Sequence, residues 1–178
     1  MNCGIWRWQF SWPFRRRSDV VRGIEVTGNS EFLLRTKEAL TLLQPLAQFA
    51  LIRAHLAKIR QGKRSGMKAW LTAPMFTVGK PTWQHSALWY AGAIAHDAYH
   101  AKLYFDAKGD HGRTEPEADA WTGAKAEREC LAFQQQVLLA LNADETIIRY
   151  LESCAQHPTY QGHNKGWKGW LDYLGRRW

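Results

Sequence analysis

Two histidines four residues apart offer the clearest chemistry in this sequence, in the HxxxH run His96-Asp97-Ala98-Tyr99-His100. Residues at positions i and i+4 of a helix lie one above the other, so both imidazoles can bind one metal ion. The flanking residues are apolar on nearly every side, which predicts a buried helix that starts at Thr82 or Ser86 and ends near Phe105. A buried imidazole needs a polar partner, and a shared metal ion would supply one.

A carboxylate on the following helix is the predicted third ligand. Helical periodicity extends from about residue 116 to residue 141. Glu127 shares a face with leucines, whereas Glu129 shares a less apolar face, so we expect Glu127 as the ligand and keep Glu129 as the alternative. Two imidazole nitrogens and a carboxylate leave tetrahedral Zn²⁺ one position open for water, as in catalytic sites. Cys130, on the same helix, is predicted to pack in the core.

This constellation resembles the active-site core of zincin metallopeptidases of the gluzincin type, whose motif is HExxH on one helix with a Glu on the next. The similarity extends over residues 91–134. It implies a zincin-like domain in which His96, His100 and Glu127 bind zinc and Asp97 takes the place of the general base. It also implies a peptide or protein substrate.

The chain departs from the family at Asp97, where Glu is usual. The shorter side chain must still come within hydrogen-bonding reach, about 2.6–3.2 Å, of the proton that it accepts. Three outcomes are expected for Asp97: it acts as a base through a small helix adjustment or a second water, it leaves a metal site with little activity, or it orients a ligand from outside the coordination shell. Zincins also use a His or Tyr to steady the oxyanion, and the candidates are Tyr160 and His163, followed by His157, His111 and Tyr99.

Other interpretations of the same residues stay open. The doublet His96-Asp97 is similar to that of HD-type phosphohydrolases, which need another histidine upstream. His85 would lie roughly 16 Å away along the same helix, so His55 is the substitute in that hypothesis. A metzincin-like site with Asp106 as a ligand lacks the glycine three residues past the second histidine. A non-catalytic, metal-stabilised domain that binds a partner is the remaining hypothesis.

The net charge of +8 belongs to the N-terminal part of the chain. Residues 1–70 carry thirteen Lys and Arg against four Asp and Glu, whereas residues 71–178 carry eleven against twelve. A basic surface attracts phosphates, but no nucleic-acid motif accompanies it, so nucleic acid is not an expected partner. The aromatic and Arg-rich start predicts a flexible tail over 1–22, followed by a single metal-binding domain over 23–178.

The hydrophobic pattern predicts an α+β fold: a helix-rich single domain with a small sheet beside the buried metal-binding helix. Residues 75–79 are expected to form a strand along the cleft, where an extended peptide could pair. The other expected elements are a strand over 23–29, a helix of about eight turns over 31–60 bent near Pro45, a strand before the break at Pro74, and a short helix over 143–155.

The three cysteines are too few for a disulfide framework or a Cys-rich zinc finger. No apolar run approaches the ~20 residues that cross a bilayer. The N-terminal segment places its positive charge after its apolar residues, which is the reverse of a secretory signal. These features predict a cytoplasmic protein in a reducing compartment.

Overall fold

Seven helices and five strands make up residues 16–109 and 115–156, the parts of the chain that the computed structural model describes. In chain order they are β1 (Arg17–Val21), β2 (Ile24–Gly28), α1 (Ser30–Leu43), α2 (Phe49–His55), β3 (Lys58–Gln61), β4 (Gly66–Lys68), β5 (Met75–Val78), α3 (Lys80–Trp83), α4 (Ala87–Lys108), α5 (Ala118–Thr122), α6 (Ala124–Ala140) and α7 (Glu145–Gln156).

The strands form one sheet in the order β1-β2-β3-β5-β4. The three inner strands are parallel, and β1 and β4 pair antiparallel at the two edges. Side chains alternate between the faces of a strand, so the apolar residues in register across four strands form one buried row. That row consists of Val26, Ile59, Phe76 and Met67, and it belongs to the same core as the apolar residues of α1, α2 and α4.

Helix α4 is the central element of the helical layer, and it contacts α1, α2, α6 and the sheet. The Ser86 hydroxyl accepts a hydrogen bond from the Trp89 backbone N–H at 3.1 Å and so caps the helix, as one of the two predicted starts requires. The helix ends at Lys108, and the next residue, Gly109, has a φ of +57°, a backbone conformation that favours glycine. The predicted α+β class, with a small sheet beside a buried helix, is confirmed.

The predicted eight-turn helix over 31–60 is wrong. Helix α1 ends at Leu43, and α2 and β3 follow after a turn that contains Pro45. Proline lacks the N–H that a helix interior needs and its ring clashes with the preceding turn, so the chain breaks here and does not merely bend. Residues 58–61 become a strand because β2 and β5 pair with them on both sides.

Three further expectations need correction. Residues 75–78 form β5, which lies between β3 and β4 and is therefore not the edge strand that was expected; the edge on this side of the sheet is β4. The predicted helix over 116–141 divides at Gly123, whose extended backbone ends α5 and starts α6. Residues 17–21, assigned to the flexible tail, form β1 and pair with β2. The rest of that tail, residues 1–15, lies outside the described residues. None of the described helices is long and apolar enough to cross a membrane.

Candidate metal centre

Helices α4 and α6 pack closely at Gly92. A β-carbon on this glycine would lie 3.1 Å from three side-chain atoms of Leu138, which is tighter than ordinary van der Waals contact. His96 and His100 follow Gly92 by four and eight residues, so all three lie on one face of α4. That face meets α6, and the histidine side chains therefore point at the residues of α6 that face them.

The structure brings His96, His100 and Glu127 together. The two Nε2 atoms of the histidines lie 3.1 Å apart. The His96 Nε2 is 3.4 Å from Oε2 of Glu127, and the His100 Nε2 is 3.4 Å from Oε1. Glu129, the alternative third ligand, has a side chain that is 39% exposed and lies 3.9 Å from the Lys125 ammonium instead.

These separations can be compared with the ligand sphere of a zinc ion. Zinc binds imidazole nitrogen at about 2.0–2.1 Å and carboxylate oxygen at about 2.0–2.2 Å, so neighbouring ligand atoms of a tetrahedron lie roughly 3.3–3.5 Å apart. The two imidazole nitrogens are 3.1 Å apart, and each lies 3.4 Å from a different oxygen of Glu127. A shared ion would therefore require the carboxylate to turn so that one oxygen faces both imidazoles.

A backbone carbonyl fixes the orientation of His100. Its Nδ1 lies 2.7 Å from the carbonyl oxygen of Trp121 in α5. A carbonyl can only accept, so Nδ1 carries a proton and donates it, and in the neutral ring Nε2 keeps its lone pair for a metal. The Nδ1 of His96, by contrast, is buried and has no hydrogen-bond partner among the described residues.

Cys130 also borders this cluster. Its thiol is buried, and its Sγ and one nitrogen of each histidine all lie within 4.8 Å of one another. The predicted packing of Cys130 in the core is thus correct, but its contact with the histidines was missed. The signal was present in the sequence, because Glu127 and Cys130 are three residues apart and share a helix face.

The charges in the cluster support one another. Burial alone would raise the pKa of Glu127, but hydrogen bonds from His100 and His96 lower it below its usual range. Burial alone would lower the pKa of His100, and hydrogen bonds with Cys130 and Glu127 reverse this effect and raise it. Burial raises the pKa of Asp97 to about 6, against the opposing effect of the two imidazoles.

The structure places three other candidates away from the cluster. The ring of Tyr99 packs on Phe133, with centroids 4.9 Å apart. Asp106 forms an ion pair with Lys102 and is exposed. The ring of His85 packs against that of Trp89, on the first turn of α4. Tyr160, His163, His157 and His111 lie outside the described residues.

His55 does not reach the histidine pair. Its ring packs against Phe105, with centroids 6.1 Å apart, and the charge of Asp106 acts on it. Phe105 is five residues after His100, the nearer of the two histidines, which is roughly 7.5 Å along the axis at 1.5 Å per residue, and nine residues after His96. The HD-type hypothesis therefore has no upstream histidine at the cluster among the described residues.

An aromatic surface lies beside the centre. Trp121, whose carbonyl orients His100, packs against Tyr104 on one side and Trp70 on the other, with ring centroids 5.4 and 5.9 Å apart. Trp70 is 51% exposed and follows the edge strand β4 by two residues. The exposed ring of Trp70 thus packs against Trp121, and the backbone carbonyl of Trp121 in turn accepts a hydrogen bond from the candidate ligand His100.

Comparisons of the whole chain matched no protein-family model, no curated protein and no solved structure. The resemblance to gluzincins therefore stays a prediction from residues 91–134. The chemistry of the site must be argued from its own side chains: two imidazoles, one carboxylate and one thiol between two packed helices, with Asp97 on the next residue of α4.

Proposed function

We propose that this protein is a zinc-dependent hydrolase that acts on peptide bonds. The observation that carries the proposal is the convergence of His96, His100 and Glu127: the two Nε2 atoms lie 3.1 Å apart, and each lies 3.4 Å from a carboxylate oxygen. When bound, zinc would acidify a water molecule and polarise a substrate carbonyl. With three protein ligands, a tetrahedral ion keeps one position for that water.

The residues around the ligands have separate roles in this proposal. His100 is held by the Trp121 carbonyl, which keeps its Nε2 directed at the ion. Asp97 follows a ligand directly and interacts electrostatically with both histidines and Glu127. A carboxylate at this position would accept a proton from the attacking water or, alternatively, orient a ligand.

Two features near the centre favour an extended peptide as the substrate. Strand β4 is at the edge of the sheet and contacts α4, and its outer side has no strand partner among the described residues, so a further strand could pair there. The exposed Trp70 follows that strand and offers an apolar surface to a substrate side chain. Together they provide backbone pairing and side-chain contact on the α4 side of the sheet.

Metal content and peptide cleavage test the proposal together. We expect the purified protein to bind one zinc ion and to cleave members of a peptide library. Glu127→Gln should lose both properties, and Asp97→Asn should keep zinc but lose most of the cleavage. Full zinc stoichiometry in both His96→Ala and Glu127→Gln would contradict the site, and unchanged cleavage by Asp97→Asn would remove Asp97 as the base.

A second function is favoured by the thiol at the cluster. Structural zinc sites are closed by four protein ligands, and Cys130 is the fourth metal-ligand type of side chain at this position. The protein would then be a metal-stabilised domain that binds a partner without cleaving it. Stoichiometric zinc with no hydrolysis of any library peptide would support this second function over the first.

A further inference from the structure

We propose that Cys130 is a fourth protein ligand of the metal centre, bound through its thiolate sulfur. This inference rests on the zinc site of the proposed function and adds a residue that is absent from the HExxH-plus-Glu pattern. It changes the centre from a set of nitrogen and oxygen donors into one that includes sulfur. Whether sulfur is a ligand affects which metal ion the site prefers and how many coordination positions remain for water.

The position of Cys130 on α6 is the first argument. It lies three residues after Glu127, on the helix face that meets His96 and His100 across the interface between α4 and α6. Its sulfur and one nitrogen of each histidine lie within 4.8 Å of one another. Two imidazoles and a thiol therefore come together from two helices, and the Glu127 carboxylate lies 3.4 Å from each imidazole.

The required contraction is small. With a Zn–S distance of about 2.3 Å and a Zn–N distance of about 2.0–2.1 Å, sulfur and nitrogen lie roughly 3.5–3.6 Å apart in a tetrahedron. From separations of at most 4.8 Å, the sulfur and the two histidine nitrogens would approach one another by about 1.2 Å or less.

Charge balance is the second argument. Binding replaces the thiol proton by the metal ion and releases that proton to solvent, so Cys130 becomes an anion. The Glu127 carboxylate and the Cys130 thiolate then carry two negative charges against the two positive charges of zinc. A neutral centre suits this location, because Cys130 and His100 are buried.

The consequence is that sulfur occupies, at rest, the position that the proposed function leaves for water. Four protein donors complete a tetrahedron, so the proposed hydrolysis requires water to enter as a fifth ligand or Cys130 to leave the ion. A thiolate also favours zinc over magnesium or manganese, which prefer oxygen ligands. Modification of the Cys130 thiol would then change both the affinity for zinc and the number of open positions on the metal.

Cobalt spectroscopy tests the sulfur ligand directly. The full chain is titrated with Co²⁺, and we expect one equivalent to produce visible bands of a four-coordinate ion and a near-ultraviolet sulfur-to-cobalt charge-transfer band. Cys130→Ser should lose the charge-transfer band and bind zinc at least about 10-fold more weakly. The double variant Cys3→Ser/Cys154→Ser, in which Cys130 is the remaining cysteine, should keep the band.

Proton release gives a second readout that does not depend on activity. Zinc titrations by calorimetry in buffers of different ionisation enthalpy count the protons released, and Cys130→Ser should release about one fewer than the wild type. If Cys130→Ser loses its helical circular dichroism, the band in the double variant decides the question on its own.

The outcomes separate the two proposals. One bound cobalt ion with visible bands but no charge-transfer band would overturn the role of Cys130 and leave the site of His96, His100 and Glu127 intact. A charge-transfer band that persists in Cys130→Ser would also overturn it. Failure of the wild type to bind cobalt or zinc at all would overturn the proposed function itself.

Discussion

Helix α4 contributes residues to two polar clusters. These clusters differ in whether every hydrogen-bond donor and acceptor has a partner. The first is the pair Tyr90 and Thr36. The Thr36 hydroxyl donates to the Phe32 carbonyl at 2.7 Å and lies 2.9 Å from the Tyr90 hydroxyl, which donates in turn. Burial raises the pKa of Tyr90 above its ordinary value, so its hydroxyl stays protonated. Both hydroxyl protons are thus used, that of Thr36 by the Phe32 carbonyl and that of Tyr90 by the Thr36 oxygen.

The second group is the cluster around His96, His100 and Glu127, and its hydrogen bonds do not balance. The His100 Nδ1–H is satisfied by a carbonyl, but both Nε2 atoms and both carboxylate oxygens point into the same space. The His96 Nδ1 is buried without a partner among the described residues, and the two Nε2 atoms and the carboxylate can share either protons or a bound cation. The comparison teaches that a balanced polar pair stabilises a fold, whereas an unbalanced one predicts a ligand.

The largest expected difference between the two groups is in stabilisation by zinc. Free zinc at 100 times its Kd should stabilise the wild type by about 2.7 kcal/mol. For a chain of this length, that corresponds to a rise in Tm of about 5–10 °C. Thermal unfolding in zinc and in EDTA measures the rise, which His100→Ala should abolish and Tyr90→Phe should retain. An equal rise in His100→Ala would place the zinc elsewhere on the chain.

The balanced pair is expected to show a smaller effect that is independent of zinc. Thr36→Val leaves the Tyr90 hydroxyl buried without its partner, which should lower the free energy of unfolding by about 1–3 kcal/mol. The double variant Thr36→Val/Tyr90→Phe removes both polar groups and should be more stable than Thr36→Val alone. Urea denaturation of the single and double variants measures this coupling. Additive losses would show that the two hydroxyls do not depend on each other.

Local patterns in the sequence were sufficient to predict which helix faces carry His96, His100 and Glu127. The buried helix and the shared face of His96 and His100 follow from a period of 3.6 residues, and the same phase favoured Glu127 over Glu129. Cys130 was predicted as a core residue because a buried cysteine is usually a small apolar side chain. Its contact with the histidines depends on how α4 and α6 cross, which no single helix encodes.

Contacts between distant segments explain what the sequence did not predict. The Ile59 segment continues an apolar periodicity that favours a helix, but parallel pairing with β2 and β5 makes it a strand. The carbonyl of Trp121 reaches His100 because Gly123 separates α5 from α6. A backbone group has no residue type of its own, so composition and spacing do not predict its role.

Gly92→Ala tests whether the cluster depends on the close approach of α4 and α6. Alanine favours a helix by about 1 kcal/mol over glycine, and this gain offsets much of the crowding against Leu138. We therefore expect stability to change by less than about 1 kcal/mol. The helices should separate by a few tenths of an ångström, which should weaken zinc binding roughly 3- to 10-fold.

The matched control for this variant removes the crowding. In a Leu138→Ala background the side-chain atoms that meet the new β-carbon are absent, so Gly92→Ala should no longer weaken zinc binding. Calorimetric zinc titrations of the four proteins form a double-mutant cycle. The same loss of affinity in both backgrounds would mean that Gly92 acts on the site by some route other than helix spacing.

The smallest effect is expected for Glu129→Gln, the control for Glu127→Gln. Each variant replaces one carboxylate of α6 by an amide, so changes in net charge and helix dipole are nearly the same. Glu129 pairs with exposed Lys125 at 3.9 Å, and such pairs contribute about 0–1 kcal/mol. We expect its zinc affinity to stay within about twofold of the wild type, whereas Glu127→Gln should lose more than the ~10–100-fold typical of residues outside the coordination shell. Equal losses in both variants would reduce the role of Glu127 to general electrostatic attraction, because Glu129 lies on the same helix without contacting either histidine.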